Sequence, residues 1–153
     1  MVRRIEDSEE KRSIAKEVLL DLPEWFGIPE STQEYIDESA QMPFWAFFSA
    51  ENEPAGFIAL KETSACTAEV FVTGVKKRFH RQGIGKALFD EFCNYAKSQD
   101  YRFLQVKTVD EGRYEEYDAT IRFYESLGFC RLEVFPTLWD AHNPCLLLVM
   151  AIG

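Results

Sequence analysis

The chain has 153 residues, 46% hydrophobic and 28% charged, which fits one domain built on one core. Its net charge of -9 argues against nucleic acid or an anionic membrane as partner, and no apolar run approaches the ~20 residues that cross a bilayer. Met1–Asp7 lacks the apolar segment of a secretory signal, which leaves the cytoplasm as the expected location.

Val2–Ile5 reads as a short first strand. Ser8–Leu20 reads as a helix, with Ser8 as its cap and Glu9 and Glu10 in the first turn, where acids favour the helix dipole. Ile14, Val18 and Leu19 form its apolar stripe, and Pro23 ends it. A second helix is expected over Glu30–Ala40, capped by Ser31. Phe44–Ala50 and Gly56–Lys61 read as a hairpin around the turn residues Glu51–Pro54. Ala68–Val75 is a further strand.

Gly83–Lys97 reads as a helix whose apolar face holds Ile84, Ala87, Leu88, Phe92 and Tyr95. Tyr101–Val109 is the next strand, and Asp110–Tyr117 reads as a polar loop. Asp118–Leu127 is a short helix capped by Asp118 and closed by Gly128. Two last strands, Phe129–Phe135 and Cys145–Ile152, flank a loop holding Pro136 and Pro144. The order β-α-α-β-β-β-α-β-α-β-β describes a mixed α/β or α+β sheet rather than a βαβ repeat.

Charge is unevenly spread. The twenty residues Val70–Phe89 hold no Asp or Glu, where the average of 26 acids in 153 residues would place about three. Within Lys76–Lys86 stand five basic residues, Lys76, Lys77, Arg78, Arg81 and Lys86. Such a stretch suits an anionic ligand, and its side chains are expected to add charge-assisted bonds to one. The acidic remainder suits a cationic substrate or serves solubility. Cys66, Cys93, Cys130 and Cys145 form no C-x-x-C pair, so they read as reduced thiols rather than a zinc site or disulfide framework.

The segment Val75-Lys76-Lys77-Arg78-Phe79-His80-Arg81-Gln82-Gly83-Ile84-Gly85-Lys86 carries a strand through a basic, glycine-bearing turn into a helix. Unpaired N–H groups and the dipole at a helix start bind phosphate, and glycine lets the phosphate approach the backbone. Walker A fails, because His80 stands at its first Gly and Ala87 at its Ser/Thr. The dinucleotide fingerprint fails at Leu88.

His80-Arg81-Gln82-Gly83-Ile84-Gly85 resembles motif A, [QR]-x-x-G-x-[GA], of the GCN5-related N-acetyltransferases, the GNAT superfamily. Phe123-Tyr124-Glu125-Ser126-Leu127-Gly128-Phe129 is similar to the family's F-Y-x-x-x-G-F signature, and the element order is the family's order across nearly the whole chain. The chain departs from the pattern at His80, where Gln or Arg is usual, at Lys77, where proline is common, and at Tyr117, where an Asn often contacts the cofactor.

The resemblance implies a GNAT fold, a mixed and mostly antiparallel sheet of about six to seven strands with about four helices. It implies acetyl-CoA as co-substrate, its pyrophosphate on the amides of His80, Arg81, Gln82, Gly83, Ile84, Gly85 and Lys86, and its pantetheine arm beside the strand ending at Val75. It implies a primary amine as acceptor, either a small molecule or a peptide, attacking in a ternary complex, with homodimers frequent among members. By position, Glu69 matches the family's acidic general base and Tyr124 the tyrosine that protonates the leaving thiolate. Candidates for holding the acceptor are Trp25, Phe26, Tyr35, Asp37 and Glu38 of the N-terminal segment, Tyr114 and Tyr117, and Trp139 with Asp140. Two other readings stay open: an acetyl-CoA-binding regulatory module without catalysis, and a different nucleotide-phosphate binder.

Overall fold

The computed structural model describes all residues, 1–153. Seven strands stand in the order β1-β2-β3-β4-β5-β7-β6. They are β1 Val2–Arg4, β2 Phe44–Phe48, β3 Pro54–Ser64, β4 Thr67–Val75, β5 Phe103–Val109, β6 Cys130–Asp140 and β7 Asn143–Ala151. The helices are α1 Ser8–Leu20, α2 Pro29–Ser39, α3 Ile84–Ser98 and α4 Glu115–Leu127. The β4–β5 pair is parallel, and β1–β2, β2–β3, β5–β7 and β6–β7 are antiparallel. This is the mixed, seven-stranded, four-helix architecture expected from the sequence. No helix is long and apolar enough to cross a membrane.

The chain divides into two compact units. The first comprises Met1–Lys61 and Val70–Gln99, the second Glu62–Glu69 and Asp100–Gly153. In the first, α1 buries Ile14, Ala15, Val18 and Leu19 in a core shared with Phe44, Phe57 and Val72. Burial of each large apolar side chain contributes roughly 1.5–3 kcal/mol. Gly74 of β4 lets α1 come close, since a Cβ there would stand 2.9 Å from Leu22 Cδ1. The apolar stripe of α3 buries Ile84, Leu88, Phe89, Phe92 and Ala96, with Phe92 and Tyr95 edge-on to Trp45 of β2.

In the second unit β5 lies between the first residues of β4 and the whole of β7. Helix α4 buries Ile121 and Tyr124, and Gly128 closes it at a φ of 113°.

Several local expectations change. Asp7, not Ser8, caps α1: its backbone is extended and its Oδ2 accepts from Glu10 N at 2.8 Å. Helix α2 starts on Pro29 without a side-chain cap, so Ser31 lies inside it. Helix α4 begins a turn early, after Tyr114. Asp118 instead binds Gly112 N at 3.0 Å, while Glu115, Glu116 and Asp118 supply the first-turn charge. Pro136 and Pro144 lie within β6 and β7, which run on to a tight turn at Ala141-His142. Pro136 fits because β6 is an edge strand, where one backbone N–H can be dispensed with.

Candidate functional site

Strand β4 ends at Val75 and the chain passes through a single 3-10 turn, Lys77–Phe79, before α3. Two residues take left-handed backbone here, Arg81 at a φ of 63° and Gly83 at 78°. A non-glycine residue in that region costs on the order of 1–2 kcal/mol, so Arg81 is held there by its surroundings. These reversals aim a row of amides outward. None of the six N–H groups from Arg81 to Lys86 has an acceptor in the protein, and the helical ladder opens with Ala87 N to Gly83 O at 3.0 Å. Nothing lies within 4 Å of where a Cβ on Gly83 would stand. Donors without partners beside an open backbone suit a diphosphate. Of the residues expected to hold one, Arg81, Gln82, Gly83 and Lys86 are exposed, Gly85 is half-buried, and Ile84 is anchored in the core; the amide of exposed His80 does not join them, because it already donates to Lys77 O at 3.1 Å across the 3-10 turn.

His80 braces this turn. Its Nε2 lies 2.6 Å from Val75 O, and a carbonyl can only accept, so Nε2 donates. The ring also meets Trp25 edge-on, with centroids 6.2 Å apart. A residue that departs from the family pattern thus closes the segment from Val75 to His80.

The basic side chains behave otherwise than expected. Lys76 is buried and forms ion pairs with Glu17 of α1 and Glu53 of the β2–β3 turn, the latter at 3.0 Å. Arg78 pairs with Glu53. Lys77 pairs with Glu24 at 2.5 Å, and its backbone N–H donates to Asp21 at 2.7 Å. Lys86 pairs with Asp90 one turn along α3 at 2.9 Å. Of the five cations only Arg81 has no acidic partner. The basic cluster therefore chiefly fastens the turn to α1 and the β2–β3 turn, and the phosphate-type donors are backbone.

In the second unit Glu69 is buried on β4 opposite Gln105 of β5. Its Oε1 accepts from Gln105 Nε2 at 2.8 Å and lies 3.1 Å from Lys107 Nζ. Both contacts fall on one oxygen, and neither engages Oε2. Gln105 and Lys107, two apart on one strand, share a face of the sheet. Sequence reading did not single them out. The available signal was their polar alternation with buried Leu104 and Val106, but pairing them with Glu69 requires the β4–β5 register. Tyr124, in the same unit, is buried between the rings of Phe123 and Phe129, at centroid distances of 5.6 and 5.7 Å. Burial pushes the thiol of nearby Cys145 up to about 11, so it is a protonated core group rather than a nucleophile.

The acceptor candidates separate. Phe26, Tyr35 and Phe71 make a run of edge-on ring contacts at 5.8 and 5.4 Å, and Lys61 Nζ stands 5.6 Å from the Phe71 ring. Phe71 joins this group only in the fold. Asp37 is engaged by Gln33 and Arg12 at 3.2 and 3.6 Å. Tyr114 and Tyr117 meet edge-on at 5.8 Å. Trp139 is exposed on β6, and Asp140 is spent on the β6–β7 turn, where hydrogen bonds from Asn143 and His142 hold its carboxyl below the usual range.

The family model described as Acetyltransferase (GNAT) family matches residues 11–129. No curated protein matches the sequence. Among solved structures, a GNAT-family protein from Desulfovibrio desulfuricans superposes with a TM-score of 0.79 at 20% identity, covering 100% of this chain and 99% of that one. Aminoglycoside 6'-acetyltransferase type Ii gives 0.79 at 19% identity, covering 100% and 97%. An aminoglycoside 6'-N-acetyltransferase complexed with coenzyme A gives 0.75 at 16% identity, with the same coverage.

Proposed function

Since this chain belongs to the GNAT family of acetyltransferases, enzymes of acetyl-CoA-dependent acetyl transfer, we propose that it is an N-acetyltransferase acting on a primary amine by direct attack in a ternary complex. The observation that carries the reading is the run of six unpartnered amides from Arg81 to Lys86 beside the open face of Gly83. A structural neighbour described as complexed with coenzyme A supports the choice of ligand.

In this reading the amides of Arg81–Lys86 hold the pyrophosphate, Arg81 adds the one uncommitted cation, and the end of β4 near Val75 lies along the pantetheine arm. The bound co-substrate supplies an acetyl thioester. An acceptor amine is mostly ammonium near neutral pH, since its pKa is about 10. Glu69 takes that proton through its Oε2 side, while Gln105 and Lys107 hold Oε1 and fix the carboxylate. The neutral nitrogen then attacks; its C–N bond forms as the C–S bond breaks. The Tyr124 hydroxyl protonates the departing sulfur, whose thiol pKa is about 8.5, and the second proton lost by the nitrogen returns to Tyr124 through solvent.

The test is thiol release from acetyl-CoA against a panel of amines: polyamines, amino acids, aminoglycosides and peptides with free N-termini. Release with one class and mass gain of 42 Da on that amine, an acetyl replacing a hydrogen, support the reading. Tight acetyl-CoA binding without release across the panel would favour the silent regulatory module instead.

A further inference from the structure

Glu69, Gln105 and Lys107 all lie in the second unit, on one face of β4 and β5. The β4–β5 ladder ends with Glu69 opposite Gln105, so Lys107 stands two residues past the last rung. The other face of β5 carries the buried Leu104, Val106 and Thr108, whereas Gln105 and Lys107 stay half-buried. On β7, Leu147 stands opposite Lys107 and Val149 opposite Gln105, so the pair's neighbours on that side are apolar.

The Glu69–Lys107 ion pair is incomplete at both ends. Lys107 Nζ lies 3.1 Å from Glu69 Oε1, and no other acceptor engages it. An ammonium has three donors, so the other two are free. The Glu69 side chain is only 9% exposed, yet its Oε2 takes no hydrogen bond from the protein. No buried side-chain oxygen lacks a partner, so Oε2 reaches the surface. An ion pair that serves stability repays its loss of water only when its remaining donors and acceptors are satisfied. Here a free anionic oxygen and a free cationic head adjoin at one spot.

That arrangement matches a zwitterion. In an α-amino acid a single carbon separates ammonium from carboxylate. The ammonium can donate to Oε2 while the carboxylate accepts from Lys107 Nζ, which closes a ring of alternating charges. A polyamine or an aminoglycoside would instead set further ammonium groups against Lys107. The inference rests on the N-acetyltransferase reading: we propose that the acceptor is an amino acid whose free carboxylate lies beside its amine, and that Lys107 selects it. Nitrogen bonds to the acetyl carbon as the C–S bond breaks. One of its protons leaves through Glu69 and another ends on sulfur, giving the N-acetyl amino acid and the free thiol.

The test compares α-amino acids with their amides, and with spermidine, by thiol release from acetyl-CoA. The amide keeps the amine and side chain and lacks the anion. Its amine is also the less basic, so by protonation alone the amide would react faster. The acid is expected to exceed its amide in kcat/KM by about 10–100-fold, the effect of one bond between charged groups. Lys107→Met should raise KM for the acid by a similar factor and leave KM for the amide unchanged, while any loss in kcat through Glu69 falls on both alike. Lys107→Arg should restore much of the preference. Should the variants misfold, the acid-to-amide ratio of the unmodified chain decides. Amides or spermidine used as well as acids, or a ratio unmoved in folded Lys107→Met, overturn this inference and leave acetyl transfer standing. Acetyl-CoA bound with no thiol released by any amine overturns both.

Discussion

Replacing Gly83 by alanine probes the amide row directly. The residue stands at a φ of 78°, so any L side chain brings left-handed strain of about 1 kcal/mol, which lowers the melting temperature of a chain this size by roughly 2–4 °C. The added Cβ meets no protein atom within 4 Å. It projects instead into the space beside the Gly83 and Ile84 amides. If those two amides bind phosphate oxygens, each bond to the charged group is worth about 1.5–3 kcal/mol, and losing both costs about 3–6 kcal/mol. Acetyl-CoA affinity should then fall by about 10²–10⁴-fold in titration calorimetry. Gly112→Ala is the matched control, because Gly112 also has a positive φ, 88°, and open space around it. It should show the same loss in melting temperature and no loss of affinity. A Gly83→Ala protein that binds acetyl-CoA as the parent does would refute the placement of the diphosphate.

Tyr124→Phe should lower kcat by about 10²-fold or more with little change in acetyl-CoA Kd, as for loss of a general acid; equal turnover would remove Tyr124 from the chemistry. Glu69→Gln keeps a partner for Gln105 but removes the base, so kcat should fall by about 10²-fold and recover partly at alkaline pH as free amine accumulates. A parallel pH profile for variant and parent would place the base elsewhere. Lys76→Met leaves Glu17 and Glu53 facing each other, and should destabilise by about 1–3 kcal/mol in thermal melts, less than the 3–5 of a fully buried pair because both acids touch solvent. An unchanged melting temperature would mean the clamp carries no stability. Cys66, exposed and with its thiol held below the usual range by hydrogen bonds from Thr67 and Ser64, carries more thiolate in mildly alkaline buffer than Cys145, which burial keeps protonated. Mass mapping after brief iodoacetamide treatment should find Cys66 labelled and Cys145 untouched, and the reverse order would contradict both environments.

Element type and order were legible because periodicity is a local signal: α1 and α3 show their buried stripes in the sequence. Boundaries were less so, because a cap is decided by backbone angles. Asp7 and Ser8 are both good capping residues, and only the extended backbone of Asp7 selects it. The turn at Gly83 was legible through its glycines and the helix that follows. The fate of its cations was not: Glu17, Asp21, Glu24 and Glu53 lie 23 to 59 residues away in sequence, so composition showed a basic cluster where the fold makes ion pairs. Lys107 beside Glu69 was hidden for the same reason, since parallel register between β4 and β5 is a tertiary fact.

The self-neutralised cations of this turn bear on how it would meet an anion. With Lys76, Lys77 and Arg78 already matched by carboxylates, a phosphate coming from bulk water feels an acidic molecule until it is within reach of the amides. Capture would then depend on short-range dipoles rather than on long-range attraction, and affinity would not fall as ionic strength rises, since salt screens the repulsion between the two anions.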